Sequence, residues 1–276
     1  MKHIIVIPYY CKKEIKTFIE IARIWKRLTK TNLDYEFLLS AQYDIKPSKA
    51  LEKEFSKIAL TRSIQCQTRG GGIRVPAKGF DIEGPTAMFW DTIEYVNNNY
   101  PRDGGFMLWL EWDMVPLTSS WLDKLDEEWR TGNYVIMGRL IDRGWVAKYK
   151  PDWLSEMVEH INGAACYSKD FYNRVSKNKT NLKRSWDVEI FNQIKDKHAY
   201  KATNLIELRY CHFTMTYPPR RETVLLHGIK DSSALRYVRK SNKMGMPISL
   251  IQERIYDLLK AFSRAIHKVI KQQIKR

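Results

Sequence analysis

Two carboxylates separated by one residue, Glu111 and Asp113, stand out as side chains able to do chemistry. They follow an unbroken apolar run at 106–110 (FMLWL), which is typical of a strand buried on both faces. Residues i and i+2 of an extended chain point to the same side, so the acids are predicted to converge. Open α/β sheets bind ligands at the carboxyl ends of such strands. Two acids there favour a divalent cation, Mn²⁺ or Mg²⁺, that in turn holds a phosphate.

Further polar groups are predicted to reach the same edge of the sheet. His227 follows the last predicted strand, with Lys230 three residues later, and Asp187 and Glu189 begin a predicted helix. Imidazole suits Mn²⁺, the lysine can neutralise a departing diphosphate, and either acid of the helix can accept a proton from an attacking hydroxyl. The predicted chemistry is displacement of a nucleoside diphosphate by an alcohol. The alternatives are structural: a solvated strand end, a turn histidine, and a helix cap at Asp187.

A glycine-rich basic loop at 68–84 (TRGGGIRVPAKGFDIEG) is the second feature suited to phosphate. Backbone at Gly70–Gly72 can approach a phosphate closely, while Arg69, Arg74 and Lys78 supply positive charge. The loop matches neither a Walker A motif nor a dinucleotide fingerprint, and a flexible surface loop explains it equally well.

The elements that must position these groups follow the order of an α/β fold. A strand at 3–7, a helix at 13–28 and a strand at 35–40 form a βαβ unit, which predicts a parallel sheet. Pro116 is predicted to break the ladder, Ser119 or Ser120 to cap the next helix, and 138–150 to form a polar loop. Helices are also predicted at 47–55, 85–96, 121–129 and from 186, and strands within 58–64 and at 106–110, 134–137, 203–208 and 224–226.

Charge and the C-terminal tail bear on partners and location. The formal net charge of +16 favours an anionic partner. Residues 232–276 are basic, and an apolar stripe from Ile251 to Ile274 predicts an amphipathic helix on an anionic membrane surface. The alternative is docking of that helix on the core or a second subunit. Four scattered cysteines and the lack of a spanning apolar segment predict a cytoplasmic protein with free thiols, with membrane association through the tail as an option.

Five segments resemble the GT-A family of nucleotide-sugar glycosyltransferases. They are HIIVIPYY, LEWDMVPLTSSWLDKL, HINGAACYSKDF, SWDVEIF and LLHGIKD, which together span about residues 3–231. The resemblance implies a GT-A (Rossmann-like) domain over 1–231, a mostly parallel sheet flanked by helices, followed by the basic tail at 232–276.

The resemblance also implies roles for individual residues. The metal ligands would be Asp113, the surer of the two acids, with Glu111 assisting through the ribose or a water, and His227. The base of an inverting enzyme would be Asp187, with Glu189 second. Two departures leave stereochemistry open: the first acid is Glu rather than Asp, and the His-Gly-x-Lys spacing is shorter than in one retaining family. The implied donor-binding residues are Pro8, Tyr9, Arg69, Arg74, Lys78, Glu111 and Lys230, and the implied acceptor-binding residues are Asn162, Gly163 and Trp186.

The predicted activity is metal-dependent transfer of a sugar from a nucleoside diphosphate sugar to a hydroxyl of a glycan, glycoprotein or lipid-linked acceptor. One alternative is a nucleotidyltransferase, although Pro8-Tyr9-Tyr10 replaces its glycine-rich basic signature after the first strand. Another is a non-catalytic nucleic-acid-binding protein, which predicts salt-sensitive binding without a metal. Much of the positive charge lies late in the chain, so nucleic acid is not the expected partner.

Overall fold

Strands and helices alternate along most of the described chain. The computed structural model describes residues 1–68, 83–149, 158–175, 185–195, 199–209, 219–229, 233–236 and 238. The strands within these ranges are β1 (Lys2–Tyr9), β2 (Asp34–Ala41), β3 (Thr61–Gln65), β4 (Phe106–Trp109), β5 (Val115–Pro116), β6 (Ile136–Gly138), β7 (Leu140–Ile141), β8 (His160–Ile161), β9 (Cys166–Ser168), β10 (Tyr200–Ala202), β11 (Ile206–Leu208) and β12 (Leu225–His227). The helices are α1 (Lys12–Leu28), α2 (Lys49–Phe55), α3 (Glu83–Asn99), α4 (Trp121–Trp129), α5 (Arg143–Tyr149), α6 (Phe171–Val175) and α7 (Trp186–Ile194).

Within the described part of the chain, the main sheet has seven strands in the order β10-β6-β9-β4-β1-β2-β3. Strands β4, β1, β2 and β3 are parallel, β10 and β6 are parallel, and β9 runs antiparallel to both of its neighbours. The pairing of β1 with β2 extends from Lys2 opposite Asp34 to Tyr9 opposite Ala41. The predicted βαβ opening and mostly parallel sheet are therefore confirmed.

Helices cover both faces of this sheet because its inner strands are apolar on both sides. In β4, Phe106 and Leu108 join one core cluster, which includes Trp25 of α1 and Trp121 of α4. The alternating Met107 and Trp109 join a second cluster, which includes Phe89 of α3 and Phe191 of α7. The unbroken apolar run thus marks a strand between two helical layers, as predicted.

Several local predictions need correction. Pro116 does not end strand pairing: it lies in β5, at the edge of a three-stranded sheet ordered β11-β12-β5, where a missing N–H is tolerated. Ser120 stands at the N-cap of α4, but its side chain makes no capping hydrogen bond. The predicted polar loop at 138–150 contains β7 and α5, because Trp145 and Val146 pack with Ile141 in a small apolar cluster.

Other expectations concern parts of the chain outside the described residues. Arg69, Arg74, Lys78, Lys230 and the predicted C-terminal helix are among them. Across the residues that the structure does describe, no helix has the length and apolar character needed to cross a membrane. The described cysteines Cys11, Cys66 and Cys166 are free thiols.

Candidate active site

A tight turn, not an extended strand, brings the two acids together. Strand β4 ends at Trp109, and the Met114 N–H donates to the Glu111 carbonyl oxygen at 3.0 Å. Glu111 and Asp113 therefore lie in a turn closed by a hydrogen bond between its first and fourth residues. Their predicted convergence by alternation along an extended chain was wrong in its cause, although both acids follow the carboxyl end of β4.

The three-stranded sheet positions His227 beside this turn. Strand β5 begins two residues after Asp113 and pairs antiparallel with β12, with Val115 opposite Leu226 and Pro116 opposite Leu225. One step further along this register places His227 beside the turn. The prediction that His227 shares an edge of the main sheet is therefore corrected, since the histidine comes from the neighbouring three-stranded sheet.

The glycine after His227 is required by the backbone. Gly228 has φ +89°, and a Cβ at that position would lie 2.4 Å from the Arg209 carbonyl oxygen. Arg209 also donates its N–H to the His227 carbonyl oxygen at 2.9 Å. Only glycine allows the chain to turn away here while β12 keeps its place beside β11.

The three side chains form a compact group. His227 Nε2 lies 3.1 Å from Glu111 Oε2 and 3.2 Å from Asp113 Oδ1, and their potential ligand atoms all lie within 4.8 Å of one another. Asp113 is 4% exposed, His227 is 5% exposed and Glu111 is half-buried. The structure thus brings together the three residues predicted to hold a metal, called the acid cluster below. Glu111 is the most exposed of the three.

Electrostatics explain why such a cluster suits a cation. Burial lowers the pKa of the His227 imidazole, but the charges and hydrogen bonds of Asp113 and Glu111 outweigh it and raise that pKa to about 10. Two carboxylates in a largely buried site thus hold a proton on the imidazole that a metal ion would displace. Carboxylate oxygens with one imidazole fit Mn²⁺ well, whereas Mg²⁺ prefers oxygen throughout.

Two residues beside this cluster were missed from the sequence. The Glu14 carboxylate is buried and accepts the Tyr10 N–H at 2.8 Å. Burial is the largest cause of a rise in its pKa to about 7, and the charges of Glu111 and Asp113 add to it. Burial likewise raises the pKa of the Tyr10 hydroxyl, with Glu111, Glu14 and Asp113 adding to the effect. The available signal was that Glu14 lies on the same helical stripe as the buried residues Phe18, Ile21 and Trp25.

The predicted donor residues at the end of β1 are buried. Pro8 and Tyr9 both belong to the buried residues, and the Tyr9 side chain lies in the core cluster that also contains Leu51 and Phe55 of α2. The Tyr9 hydroxyl accepts the Ser48 N–H at 3.0 Å. Their donor-binding role remains a prediction, and the following residue, Tyr10, is the one whose hydroxyl pKa is raised by the charges of Glu111 and Asp113.

Asp187 is held by several donors. Its Oδ2 accepts the Gly163 N–H at 3.1 Å, and its Oδ1 accepts the Val188 N–H at 2.9 Å and the Ser185 hydroxyl. His160 Nε2 lies 3.8 Å from Oδ2. The carboxylate, 9% exposed, therefore ties the start of α7 to the segment carrying Asn162 and Gly163. Glu189, one turn into the helix, is half-buried.

Trp186 and Gly163 form a close contact. A Cβ on Gly163 would lie 2.6 Å from Trp186 Cζ2, so a larger residue would displace the indole. Trp186 is 7% exposed and stacks on Phe89 with ring centroids 4.9 Å apart. The structure thus places the Trp186 ring largely within the core, while Asn162 remains half-buried.

The Tyr167 hydroxyl links the two groups of predicted residues. It donates to the Gly163 carbonyl oxygen at 2.7 Å. Burial raises its pKa well above the usual value, and the charges of Asp187 and Glu111 raise it further. Both carboxylates therefore lie within electrostatic range of one hydroxyl, which places the predicted base and the acid cluster in the same region of the molecule.

The fold is that of the GT-A glycosyltransferases, which confirms the predicted fold class. It superimposes on mouse xyloside xylosyltransferase 1 with a TM-score of 0.51 and 11% identity, over 84% of this chain and 99% of that one. The WbbM bifunctional glycosyltransferase gives a TM-score of 0.50 and 11% identity, over 81% of this chain and 45% of that one. At this identity the likeness concerns the fold. No family model matches the sequence, and no curated protein matches it.

Proposed function

We propose that this chain is a metal-dependent glycosyltransferase that moves a sugar from a nucleoside diphosphate sugar to a hydroxyl acceptor. The observation that carries the proposal is the cluster of Glu111, Asp113 and His227 after the carboxyl end of β4. Many functions share a fold, so the chemistry of the site, more than the likeness in fold, supports sugar transfer.

Asp113 and His227 are the residues that would hold the cation, with Mn²⁺ favoured over Mg²⁺ by the imidazole. Glu111, being more exposed, would complete the shell or contact the donor ribose directly or through a water. When bound, the cation supplies positive charge against the diphosphate as it departs. Arg69, Arg74, Lys78 and Lys230 are proposed to add further positive charge to the donor site.

The acceptor would enter beside Asn162 and Gly163. Asp187 is the proposed base if the reaction inverts configuration, since it lies in the region of the acid cluster. Its oxygens already accept hydrogen bonds from Gly163, Val188 and Ser185, which also supports a positioning role. Glu189 is the second proposed base, and it is the more exposed of the two acids.

The proposal is tested by screening UDP-, GDP-, CMP- and dTDP-sugars for thermal stabilisation and for donor hydrolysis, with and without Mn²⁺. We expect one diphosphate donor to stabilise the protein in a manner that requires Mn²⁺ and is lost in Asp113→Asn. The matched control is Asp44→Asn, which changes an exposed aspartate outside the cluster.

The same screen separates the alternatives. Release of pyrophosphate from a nucleoside triphosphate and a sugar phosphate would replace the proposal with a nucleotidyltransferase. No response to any donor, together with tight salt-sensitive binding of an oligonucleotide, would replace it with a nucleic-acid-binding function.

A further inference from the structure

A second cleft lies at the other end of β4 from the acid cluster. It has a volume of about 380 Å³ and is lined in part by Gly104 and Gly105, which directly precede β4. Glu111 and Asp113 follow the opposite end of the same strand, so this cleft is separate from the proposed active site. Its volume falls in the range of small-molecule sites, roughly 300–1,000 Å³.

The lining of the cleft is cationic. Among the described residues, its charged side chains are four cations and one acid, namely Arg102, Arg130, Lys169, Arg174 and Asp170. They come from the segment before β4, the residue that follows α4, the segment after β9 and the short α6. A cleft that gathers cations from separate elements favours an anionic ligand.

Two buried polar residues, Lys169 and Ser168, line this cleft. The Lys169 side chain is almost fully buried, and its ammonium group forms an ion pair with Asp103 and donates to the Lys2 carbonyl oxygen at 2.9 Å. Its neighbour Ser168 is 8% exposed and lines the cleft, and its hydroxyl has no hydrogen-bond partner within the described part of the chain. Because buried hydroxyls are nearly always hydrogen-bonded, this one points to a bound group.

Two of the arginines pair with acids and still have N–H donors available for a ligand. Arg130 contacts Asp126 through Nη2 at 2.7 Å, and Arg174 contacts Asp170 through Nε at 2.9 Å. A guanidinium has five N–H donors, so each retains others for a ligand. Arg102 is exposed and forms no ion pair with the residues that the structure describes, which leaves one cation in excess.

We propose that this cleft is a second ligand site that binds a phosphate monoester group. A tetrahedral phosphate offers three terminal oxygens that can accept from Lys169, the arginines and Ser168 at once, whereas a carboxylate offers only two in one plane. The phosphate belongs either to a soluble small molecule or to a lipid headgroup, which present the same chemistry to these donors.

The test is a calorimetric titration of the full chain with glycerol 3-phosphate, in EDTA so that no metal takes part. The key variant is the double substitution Arg102→Gln and Arg174→Gln, which alters two exposed side chains and leaves the buried Lys169–Asp103 pair intact. The matched control is Arg23→Gln, an exposed arginine on α1 that also pairs with an acid. Asp113→Asn shows whether the acid cluster contributes.

The wild type, Arg23→Gln and Asp113→Asn should bind one equivalent with similar affinity. The double variant should bind at least about tenfold more weakly, the effect of losing a charge-assisted hydrogen bond. No binding by the wild type, or equal affinity in the double variant, would overturn the proposal. Thermal unfolding of both arginine variants confirms that each is folded.

A parallel flotation assay identifies the source of the phosphate. It compares vesicles of phosphatidylcholine containing phosphatidic acid with vesicles of phosphatidylcholine alone. If vesicles with phosphatidic acid capture the wild type and Arg23→Gln but capture less of the double variant, the site is supported and its ligand is a lipid headgroup. If glycerol 3-phosphate binds but the vesicles capture Arg23→Gln and the double variant equally, the site is supported and its ligand is a soluble molecule.

Discussion

The proton on His227 makes the stability of the metal-free protein depend on pH in a defined direction. Burial disfavours the imidazolium, but Asp113 and Glu111 raise its pKa from 6.5 to about 10. Since the pKa is higher in the folded state, the stabilisation is complete below about pH 6.5 and is lost as the pH rises through about 10. At about 1.4 kcal/mol per pKa unit, the difference corresponds to a ceiling of about 5 kcal/mol.

Urea unfolding in EDTA, across the range between those two pKa values, measures this effect. The wild type should lose several kcal/mol of unfolding free energy relative to His227→Gln as the pH rises. The control His160→Gln changes a half-buried histidine 3.8 Å from another carboxylate. Adding Mn²⁺ should reverse the trend, because the ion needs the neutral imidazole and its stabilising effect grows as the proton leaves. A difference in unfolding free energy between the wild type and His227→Gln that is the same at every pH would refute the reasoning.

Three further changes have defined outcomes. Glu14→Gln should stabilise the metal-free protein by about 1–3 kcal/mol above pH 7 in urea unfolding, because its pKa is raised to about 7 and ionisation is costly. Gly228→Ala should cost about 2 kcal/mol or more in urea unfolding and weaken Mn²⁺ binding, since φ is +89°. Asp187→Asn should lower sugar transfer by about 10²-fold or more while donor binding persists, if Asp187 is the base.

Each of these has a result that would count against it. For Glu14→Gln, an unchanged free energy of unfolding above pH 7 would mean that the buried carboxylate carries no electrostatic cost. For Gly228→Ala, the control is Gly144→Ala, where an added Cβ meets nothing closer than 3.4 Å. Equal stability of the two alanine variants would contradict the steric argument. Full activity of Asp187→Asn, with activity lost in Glu189→Gln, would transfer the base to Glu189.

Local patterns were sufficient for the central layers of the fold. The apolar runs of β1 and β4 are buried on both faces, and this composition distinguishes an inner strand from an amphipathic surface element. The strand, helix, strand order at the start of the chain then restricts the topology, since such crossovers connect parallel neighbours.

The contacts that build the site depend on pairings distant in sequence. Asp113 and His227 meet because β5 pairs with β12, and a two-residue strand containing Pro116 has no recognisable strand pattern. Glu14 lies on the apolar stripe of α1, which indicates burial, but only the packing of α1 shows that it is buried within electrostatic range of Glu111 and Asp113. Sequence patterns therefore predicted the candidate ligands, while tertiary pairing decided how they meet.

Mn²⁺ binding at the acid cluster is the most direct test of the account. The electron paramagnetic resonance signal of free Mn²⁺ falls as the ion binds, so a titration with protein gives stoichiometry and affinity. We predict one ion per chain for the wild type and for Asp44→Asn, with binding tightened by a nucleoside diphosphate and abolished in Asp113→Asn. Binding that is unchanged in Asp113→Asn, or no binding by the wild type with the nucleotide present, would contradict the assignment of this cluster as the metal centre.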